Sequence, residues 1–138
     1  MNDRLPVPRL GHEPAALGLP VTDVRRSRQF YETYFGFEPA TAERYDDGTV
    51  IIRNSDGFDL ALHAVEDAGR LPEFLHFGFK VSDTDAVRTL LARLNADGIE
   101  IIEELDTPAY VGFKCLDPDG VPVETYWEDS GTRSAPPE

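Results

Sequence analysis

A chain of 138 residues with 41% hydrophobic content suits one globular domain with an ordinary core. Its 26 acidic against 13 basic residues leave a formal charge of −13, which repels a phosphate backbone and an anionic membrane surface alike and excludes nucleic acid as a first partner. The single cysteine, Cys115, allows no internal disulfide and makes a reducing compartment the default.

Residues 1–14 carry Asp3, Arg4, Arg9, His12 and Glu13 among three prolines and lack the apolar run of a secretion signal. They read as a flexible N-terminal arm. No stretch approaches the roughly 20 apolar residues of a membrane helix, so the expectation is a cytoplasmic protein with no membrane partner. At 16–23 the alternation of Leu17, Leu19 and Val21 against Gly18 predicts a strand. Thr22 is the expected N-cap of a helix over 24–35 that buries Phe30, Tyr31, Tyr34 and Phe35 and is ended by Gly36. Short strands follow, divided by the turn residues Asp46, Asp47 and Gly48 and then Asp56 and Gly57.

The plan then recurs. Phe77, Phe79 and Val81 alternate against Gly78, Ser82 and Asp85 suggest a capping box, and Ala86, Val87, Leu90, Leu91 and Leu94 mark a helix stopped by Gly98. Strands separated by Thr107-Pro108 and by the turn 117–120 complete this half, and 129–138 reads as a flexible tail. Parity places Trp127 under the helix layer and groups Cys115 with Phe113 as a buried small hydrophobe rather than a nucleophile.

The recurrence is a sequence match as well as a pattern. Residues 16–23 (ALGLPVTD) align with 76–83 (HFGFKVSD), and 56–63 (DGFDLALH) align with 119–126 (DGVPVETY). Two matches in the same order, with a helix between the anchors, indicate a duplication. The expected fold is therefore α+β: two βαβββ modules in tandem, at 15–66 and 74–128, forming concave mixed sheets with helices on their outer faces.

With Val21-Thr22-Asp23, Ser27, Phe30-Tyr31 and Phe35-Gly36-Phe37 at its opening, and 113–120 with Glu124 at its close, the chain resembles the vicinal oxygen chelate superfamily over about 15–128. That superfamily includes glyoxalases, extradiol dioxygenases, fosfomycin-resistance enzymes and bleomycin-binding proteins. The resemblance implies a divalent metal in the concave sheet, held by ligands from the first and last strands of each module. His76 and Glu124 match two of those positions, whereas Ala16 and Ala61 stand at the other two and offer no lone pair.

A His and a carboxylate suit Zn, Mn, Fe or Ni, but a catalytic site generally needs a third protein donor. His63, Asp59 and His12 are candidates within the chain, and another subunit is an alternative source. His63 lies two residues beyond Ala61, on the same strand face and about 7 Å further along. Without a metal, His76 and Glu124 become a polar pair that contacts an organic ligand. Tyr110, Lys114 and Tyr126 share their face by parity and can add stacking and hydrogen bonds, although aromatics in small sheets also serve as core or rim.

The leading expectation is a metal-free binding protein of the glyoxalase and bleomycin-resistance type, with no cofactor, that sequesters a cationic or aromatic organic compound. The alternative is a metal-dependent lyase, isomerase or dioxygenase using His76, Glu124 and a displaced third ligand such as His63. A third reading is a fold retained for protein interaction. The resemblance also implies a homodimer.

Overall fold

The structure is a computed structural model that describes residues 16–131. The expected arm, including His12, and most of the expected tail lie outside the described residues. The first module consists of β1 (Ala16–Val21), α1 (Val24–Tyr34), β2 (Phe37–Arg44), β3 (Val50–Asn54) and β4 (Asp59–Ala64). The second repeats it with β5 (Phe77–Lys80), α2 (Thr84–Ala96), β6 (Ile101–Asp106), β7 (Tyr110–Leu116) and β8 (Pro122–Glu128).

Each module closes its sheet in the same order, β1-β4-β3-β2 and β5-β8-β7-β6, with the first strand parallel to the last and the other pairs antiparallel. The two-residue period sorts side chains cleanly. On β8, Val123 and Thr125 are buried while Pro122, Glu124 and Tyr126 face the open side, and on β4 Leu60 and Leu62 are buried while Ala61 and His63 are not. The two-module α+β reading of the sequence is what the chain adopts.

The helix starts need correction. Asp23, not Thr22, caps α1 by accepting from the Arg26 amide at 3.1 Å, and Asp83, not Ser82, caps α2 by accepting from the Ala86 amide at 2.7 Å. Thr and Asp are both good N-caps, so adjacent candidates leave the choice to tertiary contacts. Thr22 is drawn away: its hydroxyl donates to Asp119 at 2.6 Å. The helix stops are as expected, with Gly36 and Gly98 at φ of 73° and 77°, a conformation that glycine adopts without steric cost.

A single core runs through both modules. Tyr31 meets Phe77 at 6.2 Å between ring centroids, and Phe79 meets Phe35, Phe37 and Phe58 at 5.3, 6.1 and 5.8 Å. Such pairs contribute roughly 0.5–1.5 kcal/mol each beyond the area they bury. Polar contacts, from the buried Tyr31–Asp117 pair to exposed ones at the rim, bolt the halves together. Tyr31 donates to Asp117 at 2.7 Å, Tyr34 donates to Asp97 at 2.6 Å, and Asp119 accepts from Thr22 and Ser27 at the start of α1. Cys115 is fully buried and Trp127 packs against the core, as their parity requires.

Hydrogen bonding divides the described strands into two separate four-stranded sheets. Within one chain, then, the two open faces are not joined into one continuous sheet. The apolar faces share the core, and the faces bearing the candidate residues turn away from it.

Candidate functional site

The open face of the second sheet collects most of the expected residues. Gly78 pairs with Glu124, Lys114 pairs with Glu124 from the other side, and Gly112 pairs with Tyr126. His76 precedes β5 on the same face, and its Nε2 lies 3.7 Å from Oε1 of Glu124. Tyr110 donates its hydroxyl to the other carboxylate oxygen, Oε2. The Tyr110 ring stacks on Tyr126 with centroids 5.6 Å apart and planes 12° from parallel.

Two glycines make this arrangement possible. A methyl group on Gly112 would fall 2.8 Å from a ring carbon of Tyr110 and 2.9 Å from Cβ of Tyr126, so the stacked pair lies across a strand that must be bare there. A methyl group on Gly78 would meet the Glu124 backbone in the same way. Sequence reasoning missed this role for Gly112, although a glycine within a strand is itself a signal of close approach.

The imidazole of His76 is oriented by its own loop. Its Nδ1 lies 2.9 Å from the carbonyl oxygen of Phe74, and since a carbonyl only accepts, Nδ1 carries the proton. In neutral His76 the Nε2 lone pair therefore faces the Glu124 carboxylate: two acceptors 3.7 Å apart, with no hydrogen bond between them. Phe74 itself has φ of 68° and an 87% exposed side chain, which places a backbone usually reserved for glycine next to the site. Beside His76 a hollow of about 280 Å³ is lined by Leu71, Phe74, Leu75, Ile102 and Pro122.

Burial and the Glu124 carboxylate hold the Tyr110 phenol well above its usual range, so it remains a donor at any physiological pH. Lys114 is half-buried on the same face, with its ammonium 3.4 Å from Glu103 at the neighbouring edge.

His63 and Asp59 occupy the open face of the first sheet instead. The His63 ring lies over β1, where its Nε2 would be 3.1 Å from a methyl group on Gly18, and its Nδ1 is 3.0 Å from the Thr49 hydroxyl. Thr49 is a second residue that sequence reasoning did not single out, because its role depends on the β3–β4 register. Asp59 is paired with Arg53 at 2.7 and 3.2 Å, and the guanidinium holds its carboxyl below the ordinary range through those hydrogen bonds.

Among the described residues, no group of three or more His, Cys, Asp or Glu side chains comes together to hold a metal ion. The donor set of one chain does not fit the metal that the family resemblance implies. Ala16 and Ala61 supply nothing, His63 sits on the other sheet, and one oxygen of Glu124 is already engaged by Tyr110. What converges is a carboxylate, an imidazole acceptor and a stacked pair of phenol rings.

A family model described as the Glyoxalase/Bleomycin resistance protein/Dioxygenase superfamily matches residues 13–125. A probable trivalent organoarsenical cleaving enzyme of Bacillus subtilis (strain 168) is 28% identical over 121 residues, covering 85% of this chain and 81% of that protein. A solved structure of a possible glyoxalase from Bacillus cereus shares 28% identity at a TM-score of 0.69, covering 83% of this chain and 98% of that one. The fosfomycin resistance protein FosX of Listeria monocytogenes has a TM-score of 0.71 at 17% identity, over 92% of this chain and 98% of its own, a likeness of fold alone.

Proposed function

As the chain belongs to the Glyoxalase/Bleomycin resistance protein/Dioxygenase superfamily, we propose that it is a small-molecule-binding member that takes an organic cation with an aromatic part on the open face of the second sheet. One observation carries the reading: His76 Nε2 and Glu124 Oε1 stand 3.7 Å apart on the open face, and when the imidazole is neutral with its proton on Nδ1 both are acceptors. A bound ammonium or guanidinium supplies N–H donors to both at once. The stacked Tyr110 and Tyr126 rings offer a π surface to the same ligand, where a cation gains roughly 0.5–2 kcal/mol. The net charge of −13 favours the approach of a cation from solution. No metal is needed for any of these contacts.

In this reading a second copy of the chain completes the cup. The open faces turn away from the shared core, so a two-fold pairing that sets the first sheet of one copy beside the second sheet of the other gives two identical cups. The protein works as a homodimer in the cytoplasm. Light scattering across a concentration series checks the oligomeric state.

The deciding experiment is thermal shift with a panel of cationic aromatic compounds on protein stripped with a chelator. Stabilisation without metal, abolished in Glu124→Gln, is the expected result. Stabilisation that appears only after a divalent metal is restored overturns the reading.

The pose of His63 supports a second reading, a metal-dependent enzyme. Its ring covers Gly18, the counterpart of Gly78, and its Nε2 has no hydrogen-bond partner among the described residues. Across a two-fold interface it would serve as the displaced third donor to His76 and Glu124. The organoarsenical-cleaving relative adds weight to an enzymatic role. Near-stoichiometric metal in the purified protein, lost in both His76→Ala and His63→Ala, is the result that favours this reading over the first.

A further inference from the structure

On the opposite side of the sheets from the cup, a cleft of about 590 Å³ runs between the two modules. Its apolar wall is made by Phe35, Phe79, Val81 and Leu90, and its rim carries both signs of charge, with Asp56, Asp83, Asp85 and Arg93. Two polar side chains line it as well, Asn54 and Thr125, and both are more than nine-tenths buried.

Asn54 is locked in one orientation. Its Oδ1 accepts from the backbone amides of Asp56 at 3.0 Å and Phe58 at 2.9 Å, which fixes the amide and leaves the NH2 end free of any hydrogen-bond partner among the described residues. Thr125, only 2% exposed, has a hydroxyl with no partner either. An orphaned buried hydroxyl costs roughly 1–3 kcal/mol, and a valine of the same shape would remove that cost. A buried hydroxyl without a partner and an amide NH2 that no described protein group engages, on two residues lining one apolar cleft, are the complement of a ligand oxygen.

We propose that this cleft is a second ligand site, independent of the cup, for a neutral and mainly apolar molecule bearing a carbonyl oxygen, such as an aryl ketone or aromatic amide. The oxygen accepts from Asn54 Nδ2, the Thr125 hydroxyl supplies a second donor, and the ring lies against Phe79 and Leu90. A charged ligand would have to give up its hydration against the apolar wall of Phe35, Phe79, Val81 and Leu90, which is why the ligand is neutral. The site uses none of His76, Glu124, Tyr110 or Tyr126, so it stands or falls separately from the proposed cation site.

Fluorine NMR titration of the full chain with 4-fluoroacetophenone tests the proposal. Saturable binding is expected. Asn54→Asp retains the two loop hydrogen bonds but puts an acceptor where the donor was, and should weaken binding about tenfold or more. Leu90→Trp, which fills the cleft, should abolish binding, while Glu124→Gln leaves it unchanged. Thr125→Val should weaken binding severalfold yet raise the melting temperature of the free protein. Absence of saturable binding to wild type overturns the proposal, as does binding that survives both Asn54→Asp and Leu90→Trp or is lost in Glu124→Gln.

Discussion

Gly78 and Glu124 are register partners in the parallel pair of β5 and β8, and a methyl group on Gly78 would fall 2.6 Å from the Glu124 carbonyl oxygen and 2.7 Å from its Cβ. Neither atom moves without moving the strand. Gly78→Ala should therefore cost about 1–3 kcal/mol in chemical denaturation and displace the Glu124 carboxylate from His76. The equivalent change in the first module, Gly18→Ala, meets only the edge of the His63 ring at 3.1 Å. A ring edge can rotate away, so Gly18→Ala should be nearly neutral; equal costs for the two variants would contradict the packing described.

The Tyr110 hydroxyl and the Tyr110 ring have separable effects. Tyr110→Phe keeps the stack on Tyr126 but withdraws the donor from Glu124 Oε2. The carboxylate is then positioned only by its strand, and calorimetry should show a three- to tenfold loss of affinity for a cationic aromatic ligand, about 1 kcal/mol. Glu124→Gln should lose more and should also weaken the salt dependence of binding.

Asp117 ties module two to α1, and its charge is a burden. Burial raises its pKa from the ordinary 3.8 despite the opposing hydrogen bonds from Tyr31 and from the amides of Val121 and Asp119. The folded state then holds the proton more tightly than the unfolded chain, so this residue's contribution to stability falls as pH rises above about 4. Asp117→Asn keeps an acceptor for both amides and a partner for Tyr31. It should match or exceed wild-type stability at pH 7 and flatten that slope. Asp117→Ala should instead cost about 2–4 kcal/mol, because the Tyr31 hydroxyl and the Val121 amide are left buried without an acceptor.

Cys115 has no exposed surface, and its thiol is pushed up to about 12 by burial, with the Asp117 charge adding to the effect. A thiol reagent should leave native protein unmodified at pH 8 and titrate one thiol per chain after unfolding. Rapid reaction of the native state would mean that β7 opens locally.

The sequence determined the fold to a large extent because the duplication is written twice. Strand alternation around Gly18 and Gly78, the helix stops at Gly36 and Gly98, and the alanines at 16 and 61 are local or periodic facts that need no partner to be read. Parity likewise placed His76, Glu124, Tyr110, Lys114 and Tyr126 on one face of one sheet. Caps were less legible, since Thr22 and Asp23 are chemically close and a contact 97 residues away, with Asp119, takes the threonine.

Tertiary structure alone decided what those residues are to one another. That Tyr110 donates to Glu124, that Gly112 clears the space for two stacked rings, and that His76 is turned by the Phe74 carbonyl depend on register and loop path. The same holds for the absence of a three-donor cluster among the described residues: His63 has the right chemistry and the right parity, but it rides on the other sheet. Periodicity fixes the face on which a side chain stands, whereas distance across a fold is set by how sheets pack, and metal or ligand geometry answers only to distance.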